Sequence, residues 1–105
     1  MNQIFYKDTF RIKRGKLRLF EELPDFAKNN FLLIKKKLLE FSNYTEKVYI
    51  HGSFCWGFWY EGSDFDIIIT EKINEQEFKK FMLDTYDIKV DIFTFIPENE
   101  LVEIP

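Results

Sequence analysis

The stretch that decides the fold is YIHGSFCWGFWYEGSDFDIII, residues 49–69. It begins with a β-branched and aromatic run, breaks at Gly52–Ser53, and ends in an alternating Asp-Phe-Asp-Ile-Ile-Ile segment. Residues 47–52 therefore read as a short strand and residues 64–70 as another. Period-two alternation puts Asp64, Asp66 and Ile68 on one face, with Phe65, Ile67 and Ile69 on the other. Two carboxylates thus leave the same face of one strand, roughly 7 Å apart at ~3.4 Å per residue.

Working outward, residues 88–95 form a third strand, with Lys89, Asp91 and Phe93 on one face and Ile88, Val90 and Ile92 on the other. If it pairs with the second strand, Asp91 joins Asp64 and Asp66. Three carboxylates converging near a core repel one another, and hard divalent cations relieve that cost. Mg²⁺ suits such a site, because it takes oxygen ligands and keeps waters that phosphates can replace. On the other side of the loop, Gly52 lets a ligand approach the backbone without a Cβ in the way. Ser53 is expected to open a short helix whose free N–H groups favour a phosphate. Ten residues, Phe54 to Ser63, separate this cradle from the carboxylate pair. A phosphate grip and carboxylates for two metal ions are what nucleotidyl transfer requires.

Two helices complete the pattern. Residues 24–42 carry Ala27, Phe31, Ile34, Leu38 and Phe41 at spacings of four and three, with Pro24 suited to the first turn. Residues 74–84 start with Asn74 and Glu77 in capping-box positions, and Phe78, Phe81 and Met82 supply the apolar side. The order helix, strand, short helix, strand, helix, strand predicts an α/β (α+β) fold: a small mixed sheet of three to four strands with helices packed on it. Residues 3–20 are read as an extension that could fold as a hairpin, and the last ten residues as a tail that packs loosely or caps the sheet edge.

The 105 residues suit one domain, and 46% hydrophobic content with 13 Phe fills a core. No apolar run is long enough for a membrane span and no signal peptide is expected. Cys55 is the only cysteine, so a reducing cytoplasm is the expected location. Residues 1–20 carry +5 of a total charge of −3, which leaves −8 on the rest. That acidic body argues against nucleic acid as the main partner. The domain reading is a basic N-terminal extension over residues 1–22 and a single folded domain over 23–105.

GSFCWGFWYEGSDFD, residues 52–66, resembles the signature of the DNA polymerase β-like nucleotidyltransferase superfamily: Gly-Ser, ten residues, Asp-x-Asp. The chain's size resembles the minimal nucleotidyltransferase (MNT) branch, whose members often act as antitoxins to HEPN-type ribonuclease toxins. The resemblance spans residues 24–95. It implies that Gly52 and Ser53 hold the phosphates of ATP, that Asp64 and Asp66 bind two Mg²⁺ ions, and that Asp91 binds the catalytic ion and activates the acceptor hydroxyl. It implies transfer of AMP to a hydroxyl, a tyrosine, on a toxin partner. Gly57 matches the small residue that ends the short helix, and Cys55 a small buried position. One departure stands out: relatives commonly carry arginines where this chain has Phe54 and Trp56. Little chain follows residue 95, so a second copy or a helical toxin is expected to complete the cleft.

Two rivals stand beside this reading. One is a non-catalytic antitoxin that masks its toxin by binding; the other is a small-molecule nucleotidyltransferase. Among the remaining candidates, His51 is taken as structural rather than as a phosphate contact or base. Phe54, Trp56, Phe58, Trp59 and Tyr60 are taken as a core plug or partner surface in preference to a base-stacking platform. Cys55 lacks a positioned base and is not taken as a nucleophile.

Overall fold

The computed structural model describes residues 19–56, 63–95 and 102–105. Among the described residues, two α-helices, α1 (Asp25–Ser42) and α2 (Glu75–Tyr86), pack with three strands, β1 (Val48–His51), β2 (Phe65–Ile69) and β3 (Val90–Thr94). A short 3-10 helix, Gly52–Trp56, follows β1 directly. The sheet order is β1-β2-β3, with β1 and β2 antiparallel and β2 and β3 parallel. The expected mixed sheet is thus present, with β2 in the centre. The expectations for residues 3–18, for Gly57 and for Phe58, Trp59 and Tyr60 fall outside the described residues.

Each element forms for a local reason. Pro24 stands one position before the first helical residue as N-cap of α1, and its fixed φ of −70° leads into the helix. Ala27, Phe31, Ile34 and Leu38 of its stripe are fully buried. Phe41, expected to extend that stripe, is 40% exposed and instead stacks on Phe81 of α2 at 5.0 Å. The helix ends at Asn43, in the left-handed region at φ 55°, where a short polar side chain is tolerated. At the start of α2 the Asn74 side chain accepts from the Glu77 N–H. Glu77 returns to the Asn74 side-chain amide at 2.8 Å, a variant of the expected reciprocal cap.

The alternation in the strands sets the layers. Val48, Ile50, Phe65, Ile67, Ile69 and Val90 point into the core with Phe78 and Met82 of α2. Phe31 meets Phe65 edge-on at 5.1 Å, and Phe54 lies stacked on Phe65 at 4.9 Å. Each such side chain contributes about 1.5–3 kcal/mol of burial. The tail caps an edge, the second of the two expected arrangements. Val102 accepts from the Ile50 N–H at 2.8 Å, Ile104 donates to the Val48 carbonyl at 2.9 Å, and both side chains are buried. Tyr44 ties the end of α1 to the sheet. Its hydroxyl donates to the Lys47 carbonyl at 2.7 Å and accepts from the Thr70 N–H at 3.0 Å.

Candidate functional site

Register brings the acidic residues together. His51 lies opposite Asp66 across β1 and β2, and Asp66 lies opposite Asp91 across β2 and β3. Side chains that face each other across paired strands share a face, so the Asp66 and Asp91 carboxylates are neighbours by construction. Asp64, just before β2, completes the group: one carboxylate oxygen from each of the three lies within 4.8 Å of the others. Asp64 is exposed, whereas Asp66 and Asp91 are half-buried.

The electrostatics reflect this crowding. Burial pushes the Asp66 carboxyl up to about 6, and the charges of Asp91 and then Asp64 push the same way. Asp64 is also raised, by burial and then by Asp91, with Lys89 and Lys79 opposing. Asp66 Oδ1 is buried with no hydrogen-bond partner among the described residues. An orphaned anionic oxygen is costly unless a cation or proton meets it. Three hard oxygen donors converging at this distance, one of them unpartnered, fit a divalent cation of the Mg²⁺ kind.

Gly52 closes the other side. Its φ is +76°, and a Cβ built there would run into Asp66 Oδ2. Glycine is therefore required twice, for the left-handed backbone and for the space the carboxylate fills. The Gly-Ser corner and the Asp-x-Asp strand are pressed against each other. Ser53, half-buried, follows within the 3-10 helix.

The secondary candidates sort cleanly. The half-buried His51 packs its ring against Phe93 at 4.8 Å, edge to face, as part of a small aromatic group with Phe95. The Cys55 thiol is buried and donates to the Ile50 carbonyl at 3.0 Å, in keeping with a quiet core thiol. Phe54 is 1% exposed, so this residue is part of the core, the first of the two arrangements expected for it.

Positive charge instead arrives from α2. Lys79 Nζ lies 3.4 Å from Asp91 Oδ1. The sequence places Lys89 beside the site but gives it no role, and it gives no signal for Lys79, since lysines on the polar face of an amphipathic helix are ordinarily solvated. Alternation already put Lys89 on the Asp91 face of β3, whereas only the docking of α2 beside β3 brings Lys79 to the carboxylates.

The family model described as a nucleotidyltransferase domain matches residues 33–104 of this chain. No curated protein and no solved structure matches it. The match spans α1 from its third turn, all three strands, and the carboxylate group.

Proposed function

The chain belongs to the nucleotidyltransferase domain family, and on that premise we propose that it transfers AMP from ATP to a hydroxyl on a partner protein. In this reading it is an antitoxin that modifies and so silences a HEPN-type ribonuclease. The observation that carries the chemistry is the meeting of Asp64, Asp66 and Asp91 within 4.8 Å, with Asp66 Oδ1 orphaned and Gly52 pressed against the same carboxylate.

Asp64, Asp66 and Asp91 would hold the Mg²⁺ ions. When bound, these ions acidify the attacking hydroxyl and neutralise the departing pyrophosphate. The chain's own residues do the rest by position and charge. The bare backbone at Gly52 admits the nucleotide's phosphates, and the Ser53 hydroxyl donates to a phosphate oxygen. The acceptor oxygen attacks the α-phosphorus, a new P–O bond forms, and the bond to the bridging oxygen breaks. Pyrophosphate leaves, and the hydroxyl proton passes to the Asp91 carboxylate.

The burial of Phe54 in place of an arginine favours a second reading, in which nucleotide binding is weakened and the protein masks its toxin without modifying it. One experiment separates the two. The protein is incubated with Mg²⁺, ATP labelled at the α-phosphate, and the product of the adjacent reading frame. Label on the partner that disappears in the Asp64→Ala, Asp66→Ala double variant supports transfer. Toxin neutralisation that survives the double substitution, with no label in either case, rejects transfer in favour of masking.

A further inference from the structure

Beyond Asp91, on the side away from Gly52, one face of α2 along its length and the start of β3 flank an open cleft of about 470 Å³. Lys79, Lys80 and Lys89 line it, together with Asp64, Asp91 and Asp84. Resting on the nucleotidyl-transfer reading above, we infer that this cleft is the acceptor subsite, and that it selects a hydroxyl carried on an acidic peptide segment.

The location follows from the geometry of displacement. At phosphorus the entering and leaving oxygens stand roughly in line, on opposite sides of the reacting centre. Gly52 follows β1, Asp66 lies on the central strand and Asp91 on the opposite edge strand. If the departing phosphates occupy the Gly52–Ser53 corner, the hydroxyl arrives from the side of β3. The cleft opens there, and Asp91 is the carboxylate that forms part of its wall.

The charge pattern selects the occupant. Residues 21–105 sum to −8, yet three of their nine lysines gather in this one cleft. Lys79 is 3.4 Å from Asp91 and Lys80 is paired with Asp84, both pairs partly exposed. Such pairs are weak and exchangeable, so the ammonium groups are available to carboxylates of an arriving segment. When cations neutralise the three aspartates, Lys79 loses its local partner and the cleft becomes net positive. A long polyphosphate backbone is disfavoured, because three aspartates share the lining with the three lysines and the rest of the body is acidic. A short segment with carboxylates flanking its hydroxyl matches both the volume and the three ammonium groups.

The test uses fluorescein-labelled peptides with one central tyrosine flanked by Asp and Glu, or by Lys, and a single-stranded RNA of similar length. Binding is followed by anisotropy in Mg²⁺ at low salt, for the wild type, for Lys80→Glu with Lys89→Glu, and for the milder Lys80→Gln with Lys89→Gln. The expected result is about tenfold or greater preference for the acidic peptide over the basic one, with about a tenfold loss in the charge-reversed variant and a smaller loss in the glutamine variant. Equal affinity for the two peptides, indifference to both variants, or tighter binding of the RNA overturns the inference. Mn²⁺-dependent ATP binding by the wild type is measured in parallel. Its absence brings down the transfer reading and the acceptor assignment with it. Its presence alongside unselective peptide binding brings down the acceptor subsite alone.

Discussion

Replacing Asp66 by Asn removes one charge from the carboxylate group at nearly constant shape. Asp66 titrates at about 6 in the folded chain, against an ordinary carboxyl value of 3.8. A raised carboxyl pKa means that the charged form is penalised by folding, the reverse of the usual salt-bridged aspartate. Below pH 3.8 the carboxyl is protonated in both states and the penalty is absent. Between 3.8 and about 6 the penalty grows as the unfolded state ionises first, and above 6 it is present in full. At ~1.4 kcal/mol per unit the shift corresponds to ~3 kcal/mol, and because the residue is only half-buried, solvent screening reduces this to about 1–2 kcal/mol. Metal-free Asp66→Asn is therefore expected to be more stable than the wild type by about 1–2 kcal/mol at pH 7.5, or roughly 4–15 °C in Tm for a domain of this size. At pH 4 the gain should nearly vanish. Saturating Mg²⁺ should reverse the order at pH 7.5, since a ligand at a hundred times its Kd stabilises by ~2.7 kcal/mol and the variant lacks one of the three donors. Urea unfolding at pH 4, 5, 6 and 7.5, with and without Mg²⁺, measures all of this. A variant that is less stable than the metal-free wild type at pH 7.5, or that gains equally at every pH, would refute the account of a frustrated carboxylate awaiting a cation.

Three further outcomes are expected. Gly52→Ala should lose about 1–2 kcal/mol to the left-handed backbone alone, and more because its Cβ displaces the Asp66 carboxylate; Mn²⁺ titration should show weakened binding together with a lower Tm. Tyr44→Phe should cost about 1–3 kcal/mol in urea unfolding, because it leaves the Lys47 carbonyl and the Thr70 N–H without their shared hydroxyl. Lys79→Met should raise Mn²⁺ affinity by a few fold, roughly 0.5–1 kcal/mol, since it removes a cation competing for Asp91 at a partly exposed position; unchanged or weaker Mn²⁺ binding would contradict the competition.

How much of this was legible in the sequence can be judged residue by residue. Asp64, Asp66 and Asp91 were legible because a carboxylate alternating with Phe65, Ile67 and Val90 has its side fixed by its apolar neighbours, and period two is a local property. Gly52 was legible for a similar reason, as a residue between a strand and a turn with no side chain to place. The helices were legible from their stripes, but Phe41 was not: whether the last stripe residue meets the sheet or the neighbouring helix depends on how α1 and α2 pack. The tail's two alternatives were undecidable locally, because its two hydrogen bonds go to β1, some fifty residues away.

The sequence by itself thus determined the element order, the faces of the strands and the identity of the acidic side chains, all of which follow from short-range periodicity and steric allowance. Tertiary structure alone decided that β3 lies parallel and in register beside β2, so that Asp91 falls opposite Asp66. It alone brought Lys79 of α2 to Asp91, and it chose the core over a partner surface for Phe54. The physical reason is that strand register and helix docking are set by apolar burial summed over the whole sheet, whereas charges are carried to wherever that burial leaves them.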